Sequence, residues 1–451
     1  MELDYSFYLN FLDYLLLPAY LGLLYFLARK TRDKYIAQHS YYKYYIPGLF
    51  LKILGGIAFS LVYIFYYGGG DALSYFQGGR AISKMLFKNP AVCFSLLLGN
   101  RTDENWSWFD ANTGFPIVEM YQLKADSFAV SRFSAPFLFL GFNAFLVGVA
   151  LLDYFLYKFI FKFFSMYCDV YPKMEKQLAI SILYVPSIIF WGSGFMKDTY
   201  TMAAALYFTY NVYMAFIKKE KIRTNIIAII INAFIMITLK PYVLVALLPA
   251  TLLWISHNRL KNMQNATARV LAAPFIITLG IGFSSLLLSI LGGSLGTYGS
   301  IDTILIKAKV TQQDLIRSEQ YGEHYFDIGE FDPTIQGVLS KAPQAINAGL
   351  FRPYLWEVGS FVMLFAGMEN LIMLLVTIYI LIRVGPFKTL GFIGSEPLLL
   401  FSISFALVMA FAVGLTAANF GALVRYKIPL IPYYVATLFI LYYNKVKATN
   451  T

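Results

Sequence analysis

One stretch of sequence decides the fold class: Pro186-Ser187-Ile188-Ile189-Phe190-Trp191-Gly192-Ser193-Gly194-Phe195-Met196-Lys197-Asp198-Thr199-Tyr200. It is a polar turn inside a run of mostly apolar residues that extends from 177 to 217. Such runs are typical of membrane-spanning helices, which need about 20 residues each. Lys197 and Asp198 therefore fall where one predicted span ends and the next begins. They mark either a simple loop or the floor of a site.

The composition of the whole chain predicts an integral membrane protein. Of its 451 residues, 59% are hydrophobic and only 14% are charged, which is too apolar for a soluble protein of ordinary charge content. The apolar runs are long and unbroken, and this favours helices over the short alternating strands of a barrel. We predict an all-α, polytopic membrane protein that forms a single transmembrane domain over residues 1–451, with about eleven spans.

The net charge of +11 indicates orientation in the membrane. Most Lys and Arg stand in short clusters between apolar runs, such as Arg29-Lys30-Thr31-Arg32-Asp33-Lys34, and basic clusters mark cytoplasmic loops. This pattern predicts an external N-terminus and a cytoplasmic C-terminus. The predicted partner is a lipid bilayer, with no nucleic acid. The cysteines and histidines lack metal-ligand spacing, so no metal site or cofactor is predicted, although a divalent metal stays open.

The predicted spans leave two long stretches as external loops. In chain order the spans cover about 8–28, 47–67, 132–157, 177–194, 199–217, 224–239, 242–257, 268–292, a ninth from Tyr354 to Arg383, 396–416 and 429–443. The loops cover 68–131 and 293–355. Both are expected to contain surface helices, because they mix polar and apolar residues.

Ionisable residues stand at the outer end of most predicted spans. They are Asp71, Lys197, Asp198, Lys240, Arg352 and Arg425. Each lies near Gly, Pro or aromatic residues, and irregular backbone at a membrane edge is tolerated only where it is buried in protein or lines a wet cavity. Charged groups at such depths are costly and by default indicate a functional site.

The chemistry of these side chains suits a substrate that contains a phosphate. Arg and Lys stabilise the charge that develops on a departing phosphate, and a carboxylate accepts the proton of an attacking hydroxyl. Asp71 is the predicted catalytic base, because Gly68-Gly69-Gly70 lets the backbone approach a ligand closely. The predicted substrate-binding set comprises the clamp residues Lys197, Lys240, Arg352 and Arg425, the positioning residues Arg80 and Asp198, and Tyr242.

Structural roles stay open for the same residues. A Lys or Arg at the end of a span is often a snorkelling anchor, and Lys197 beside Asp198 is compatible with a local ion pair. Asp71 equally suits the N-cap of a surface helix. Within the ninth span, Glu369 and Asn370 are predicted to bridge neighbouring helices rather than to line a cavity.

Five short motifs carry a resemblance to known proteins. They are Gly70-Asp71-Ala72-Leu73-Ser74-Tyr75, Pro186-Ser187 through Lys197-Asp198, Lys240-Pro241-Tyr242, Phe351-Arg352-Pro353-Tyr354-Leu355-Trp356-Glu357, and Asn419-Phe420-Gly421 through Arg425. Together they resemble polytopic bacterial proteins of cell-surface polysaccharide synthesis and, more distantly, GT-C type glycosyltransferases and Wzy-like O-antigen polymerases. The resemblance implies a polyprenyl-(di)phosphate-linked sugar donor and a glycan or lipid-linked acceptor at the outer face of the bacterial inner membrane.

The sequence departs from these families at two points. Asp71 has no second acidic neighbour, whereas many GT-C enzymes pair two acids, and the second long loop lacks the Arg-rich pattern of a Wzy-like polymerase. Transferase and polymerase therefore stay open. A lipid-linked glycan transporter or flippase would instead need polar residues near the middle of the membrane and paired broken helices. A non-catalytic membrane scaffold of a polysaccharide or secretion complex would use the one-sided charges as a docking surface.

Overall fold

The computed structural model describes residues 5–261 and 326–449, with isolated positions between these ranges. Within them the regular structure is helical. Up to Lys261 the α-helices are α1 (Tyr5–Tyr8), α2 (Phe11–Tyr35), α3 (Tyr45–Leu61), α4 (Asp71–Lys88), α5 (Pro90–Leu98), α6 (Asp103–Trp106), α7 (Val118–Gln122), α8 (Ala125–Leu140), α9 (Phe145–Val170), α10 (Glu175–Ile182), α11 (Pro186–Phe190), α12 (Lys197–Val212), α13 (Ile222–Leu239) and α14 (Pro241–Lys261). After residue 326 they are α15 (Ile335–Ser340), α16 (Ala342–Phe351), α17 (Phe361–Val384), α18 (Pro386–Ser395), α19 (Pro397–Thr416), α20 (Phe420–Tyr426) and α21 (Ile431–Thr449).

Six helical segments in the described part of the chain are long and apolar enough to cross a membrane. They are Tyr5–Tyr35, Ser40–Tyr66, Ile222–Leu239, Phe361–Val384, Pro397–Thr416 and Phe420–Val446. A seventh follows if the bent pair of α8 and α9 counts as one span. The predicted class, a helical multi-pass membrane protein, is confirmed, but a count of about eleven spans is not. The predicted span 268–292 and the first part of the loop 293–355 lie outside the described residues.

The predicted third span, 132–157, is divided between two helices. α8 ends at Leu140, α9 begins at Phe145, and the two helices are bent by 106°. Between them, Phe142 and Asn143 have positive φ angles of 54° and 62°, which a right-handed helix excludes. Asn143 is the one polar residue in the bend, so an average of hydropathy over a window gives no sign of it.

The predicted fourth span, 177–194, is interrupted as well. α10 ends at Ile182, and α11 extends only from Pro186 to Phe190. A proline disfavours helical backbone at the residue before it, which explains why α10 does not continue into α11. A non-helical turn over 191–196 then leads into α12. The polar turn expected in this stretch is present, but the span before it consists of two short helices.

Residue contacts divide the chain into two compact units, which we describe separately. The first unit contains Met1–Ser165, Ile188–Ala203 and Thr238–Lys240. The second contains Met166–Ser187, Ala204–Ile237 and Pro241–Thr451.

In the first unit, α4 lies along α8 in a close contact that depends on glycines. A Cβ atom at Gly78 would lie 2.5 Å from Oγ of Ser131, and only a residue without a side chain allows this approach. Asp13, buried in α2, accepts a hydrogen bond of 2.7 Å from the N–H of Leu146. This carboxylate therefore caps the first turn of α9, directly after the bend.

In the second unit, α16 packs against α19, and α19 packs against α14. Gly349 of α16 faces the backbone of α19, where an added Cβ would overlap the carbonyl oxygen of Ala410. Gly414 of α19 faces the carbonyl oxygen of Ala345 in the same way. The two helices therefore approach each other backbone to backbone, as small residues permit in membrane proteins.

Candidate functional site

Asp71 is the first residue of α4 and follows three glycines. Gly68, Gly69 and Gly70 have φ angles of 61°, 156° and 103°, in the region that favours glycine. Asp71 is exposed, and the N-cap position belongs to Gly70, with no side-chain cap hydrogen bond. The interpretation of Asp71 as an N-cap is therefore wrong. Its carboxylate lies in the first helical turn, where the helix dipole favours negative charge.

Lys124 connects Asp71 to other acidic side chains. It lies at the N-cap of α8, and its Nζ is 2.7 Å from Oε1 of Glu119. This hydrogen bond raises the pKa of Lys124 above its usual value, and the charges of Asp71 and Asp126 raise it further. Lys124 is therefore a protonated cation on which three carboxylates act, those of Glu119, Asp71 and Asp126.

Lys197, the first residue of α12, donates a hydrogen bond of 2.6 Å to Oδ2 of Asp126. Its partner is therefore Asp126, in the first turn of α8, and not the adjacent Asp198. The side chain of Asp126 is 48% exposed and that of Lys197 is 19% exposed. Water and solutes reach this pair from the carboxylate side.

Asp198 instead forms an ion pair with Lys240, which follows α13. The two side chains are 3% and 7% exposed. A snorkelling anchor keeps its ammonium group in water, so the interpretation of Lys240 as an anchor is wrong. The pair joins the end of α13 to the beginning of α12.

We call Asp71, Lys124, Asp126 and Lys197 the charge row. Its members alternate in sign and lie at the N-terminal ends of α4, α8 and α12. Each of these helix ends carries a partial positive charge that adds to the ammonium groups. The row therefore combines carboxylates with two ammonium groups and three helix N-termini, and it is the ammonium groups and the helix ends that favour phosphate.

Arg80 lies nine residues beyond Asp71 on α4, which separates their Cα atoms by about 13 Å at the rise of an α-helix. The guanidinium group donates a hydrogen bond of 3.0 Å to the carbonyl of Phe7 and lies 4.7 Å from the centre of its ring. Burial lowers the pKa of Arg80, and the charge of Asp13 opposes this effect. The structure thus places Arg80 against the N-terminal segment and outside the charge row.

Arg352 belongs to the second unit and is paired with Glu357. Its Nε lies 3.0 Å and 3.2 Å from the two carboxylate oxygens. The guanidinium group also lies 4.9 Å from the ring centre of Phe326 and 5.7 Å from that of Tyr354. A bidentate carboxylate and two aromatic rings therefore hold this predicted clamp residue in place.

Lys427, next to the predicted clamp residue Arg425, is a buried cation of the second unit. Its Nζ donates to Oδ1 of Asn370 at 2.6 Å and to the carbonyls of Leu350 and Arg352 at 3.2 Å and 3.0 Å. With 1% of its surface exposed, it is no interfacial anchor. These contacts join α16, α17 and the segment after α20 around one ammonium group.

The predicted bridging role of Glu369 and Asn370 is confirmed. Glu369 accepts hydrogen bonds of 2.8 Å and 2.6 Å from the N–H and hydroxyl of Ser187, while Asn370 holds Lys427. Arg425 donates from Nε to the carbonyl of Gly421, 3.2 Å away within its own helix.

Tyr242, the second residue of α14, is half-buried. Because Tyr242, Arg352 and Arg425 belong to the second unit, their convergence with the charge row stays a prediction.

Two charged residues inside predicted spans were not among the predicted site residues. Lys52 of α3 is 3% exposed and donates to the carbonyl of Gly192, in the turn that precedes α12. Asp153 of α9 is fully buried. A charge within an apolar window was the available signal for both. Lys124 and Asp126 were missed because nothing in the polar loop around them distinguishes them from solvated residues.

The chain matches no protein-family model, no curated protein and no solved structure. Among the described residues, no group of three or more His, Cys, Asp or Glu side chains is arranged to hold a metal ion. The function is therefore argued from the charge row and its surroundings.

Proposed function

We propose that the protein is a membrane glycosyltransferase or glycan polymerase that uses a polyprenyl-(di)phosphate-linked sugar at the external face of the bacterial inner membrane. The observation that carries this proposal is the charge row, in which the exposed carboxylate of Asp71 lies near ammonium groups and helix N-termini. A lipid-linked donor presents its phosphate at the membrane edge, where such a row is accessible. The proposed orientation has the N-terminus outside and the C-terminus in the cytoplasm.

Lys197 is the proposed first contact of the donor phosphate. The Asp126 carboxylate that pairs with Lys197 is 48% exposed, so a doubly charged phosphate can reach Lys197 and displace this carboxylate. Lys124 supplies a second ammonium group. Lys240 and Asp198 support the start of α12 and do not contact the substrate in this proposal, because their pair is buried.

Asp71 is the proposed general base of glycosyl transfer. The acceptor hydroxyl attacks the sugar carbon that carries the phosphate, and its proton passes to Asp71. The new glycosidic bond forms as the bond between sugar and phosphate breaks, and the polyprenyl phosphate leaves with the electron pair. The ammonium groups stabilise the charge that develops on this leaving group.

Binding of polyprenyl phosphate to the purified protein tests the phosphate site. Native mass spectrometry would compare the binding of polyprenyl phosphate with that of polyprenol, which lacks the phosphate. We expect the wild type to prefer the phosphate, Lys197→Met to lose most of this preference, and Asp126→Asn to strengthen it by removing a competing carboxylate. Lys88→Met is the matched control, because Lys88 forms a similar part-exposed pair with Asp110. Equal binding of both lipids by the wild type would contradict the proposal.

Glycan formation in cells tests the proposed base. Asp71→Asn should abolish the product at an unchanged level of protein in the membrane, because the amide cannot accept the proton. Asp103→Asn is the matched control, since Asp103 is also an exposed aspartate at the first position of a helix. A normal amount of product from Asp71→Asn would contradict the assignment of Asp71 as the general base.

A lipid-linked glycan transporter or flippase is the second candidate, and a specific observation favours it. Helix breaks occur at 141–144 and 191–196, and charged side chains are buried inside predicted spans at Lys52 and Asp153. Broken helices and intramembrane charge are features of transporters. Liposomes that contain only the protein and a lipid-linked sugar distinguish the two, since a flippase moves the lipid across the bilayer without an acceptor and a transferase does not.

A further inference from the structure

Asp153 is a carboxyl group enclosed within the first unit. Its surface is 0% exposed, and neither Oδ1 nor Oδ2 has a hydrogen-bond partner. The side chain occupies the space left by a missing side chain on α3, because a Cβ atom at Gly56 would overlap Oδ2. The neighbouring helix is therefore shaped to accommodate this carboxyl group.

The polar groups that face the carboxyl group come from α3, from the turn over 191–196 and from α12. Lys52 of α3 acts on it through its charge, but donates to the carbonyl of Gly192 and makes no ion-pair contact. The amide of Gly194 faces the carboxyl group without reaching hydrogen-bond geometry. Tyr200 of α12 also faces it, but its hydroxyl shares a hydrogen bond of 2.7 Å with Ser134.

An ionised carboxylate in this position would have lost its hydration without gaining hydrogen bonds or a contacting cation. Buried acids avoid that penalty by taking up a proton. A metal cation fits the site less well than a proton, because the Lys52 ammonium already occupies the nearby carbonyl of Gly192. We propose that Asp153 is an intramembrane proton-binding site. Its carboxyl group carries a proton at neutral pH, while Lys52 keeps its hydrogen bond to the carbonyl of Gly192. The proposed glycosyl transfer does not use this group, so the inference stands apart from that function.

Infrared spectroscopy of the full-length protein in lipid nanodiscs tests this site. A protonated carboxylic acid has a carbonyl stretching band that an ionised carboxylate lacks. Incorporation of ¹³C-labelled aspartate shifts this band only if the acid is an aspartic acid, which separates Asp153 from the half-buried Glu369. We expect the wild type at neutral pH to show a label-sensitive acid band. Its absence would overturn the proposal without any variant.

Two variants assign the band. Asp153→Asn should remove it, whereas Asp13→Asn should leave it unchanged, because Asp13 accepts hydrogen bonds from the N–H groups of Asn10 and Leu146, which favour its ionised form. Loss of the band in Asp13→Asn with retention in Asp153→Asn would overturn the proposal. If Asp153→Asn fails to fold, Gly56→Ala serves instead. A methyl group there overlaps Oδ2 and displaces the carboxyl group, so the band should shift, and an unmoved band would count against Asp153 as its source.

Discussion

Lys240 and Asp198 form a buried ion pair that joins the end of α13 to the beginning of α12. Removing one member leaves an uncompensated charge, which typically costs about 3–5 kcal/mol. Asp198→Leu should therefore lower the midpoint of thermal unfolding in detergent strongly.

The double variant Asp198→Leu with Lys240→Met should recover most of that loss, because it leaves no buried charge behind. Lys88→Met, which breaks a part-exposed pair, should change the midpoint little. Additive losses in the double variant would show that the two side chains act independently.

Asp13 caps α9 from a distant helix, and its removal should destabilise the first unit. Asp13→Leu leaves the N–H of Leu146 without an acceptor, at a cost of about 1–3 kcal/mol. Asp13→Asn retains an acceptor oxygen and should cost less. Thermal unfolding in detergent compares both with Asp33→Leu, a change on the exposed end of the same helix. Equal effects of Asp13→Leu and Asp33→Leu would argue against the cap.

Gly349 should tolerate no side chain, because its Cα faces the carbonyl of Ala410 on α19. Gly349→Ala forces the two helices apart, and overpacking of this kind typically costs about 1–3 kcal/mol. Gly391→Ala is the control, since a Cβ there meets nothing within 4 Å. Expression level and unfolding midpoint measure the difference. A Gly349→Ala protein as stable as Gly391→Ala would mean that α16 and α19 are not in such close contact.

Lys427 should be essential for the stability of the second unit. Lys427→Met leaves three oxygen acceptors without their donor, and each unsatisfied buried acceptor costs about 1–3 kcal/mol. Lys388→Met, an exposed lysine on α18, is the control and should leave the unfolding midpoint unchanged. Limited proteolysis of the two variants in membranes measures the same difference. Similar cleavage rates would contradict the structural role of Lys427.

Hydropathy was sufficient to predict the class of the protein and several of its spans, because the apolar windows at 8–28, 47–67, 224–239 and 396–416 correspond to candidate spans in the structure. It could not predict the helix breaks. Phe142 is apolar, yet it has a positive φ in the bend between α8 and α9. Backbone conformation at such a point depends on tertiary packing, which an average over a window does not contain.

The candidate site was predictable only in part. A local ion pair of Lys197 with Asp198 was one interpretation of the sequence, but the partner of Lys197 is Asp126 on α8 and the partner of Asp198 is Lys240 after α13. Adjacent residues at the start of a helix point in different directions, so neighbours in sequence are poor candidates for partners. Pairing across helices depends on how the helices pack, and a single sequence does not reveal it.

Gly56 leaves room for Asp153, and Lys52 lies one helical turn away on the same helix. An α-helix rotates by about 100° per residue, so the two positions share a face only at their present spacing. Insertion of one leucine between them would leave a helix that is still long and apolar enough to span a membrane. It would, however, rotate Gly56 to a different face from Lys52. The arrangement of Lys52, Gly56 and Asp153 is thus more sensitive to the spacing of Lys52 and Gly56 along their helix than to the composition of the span.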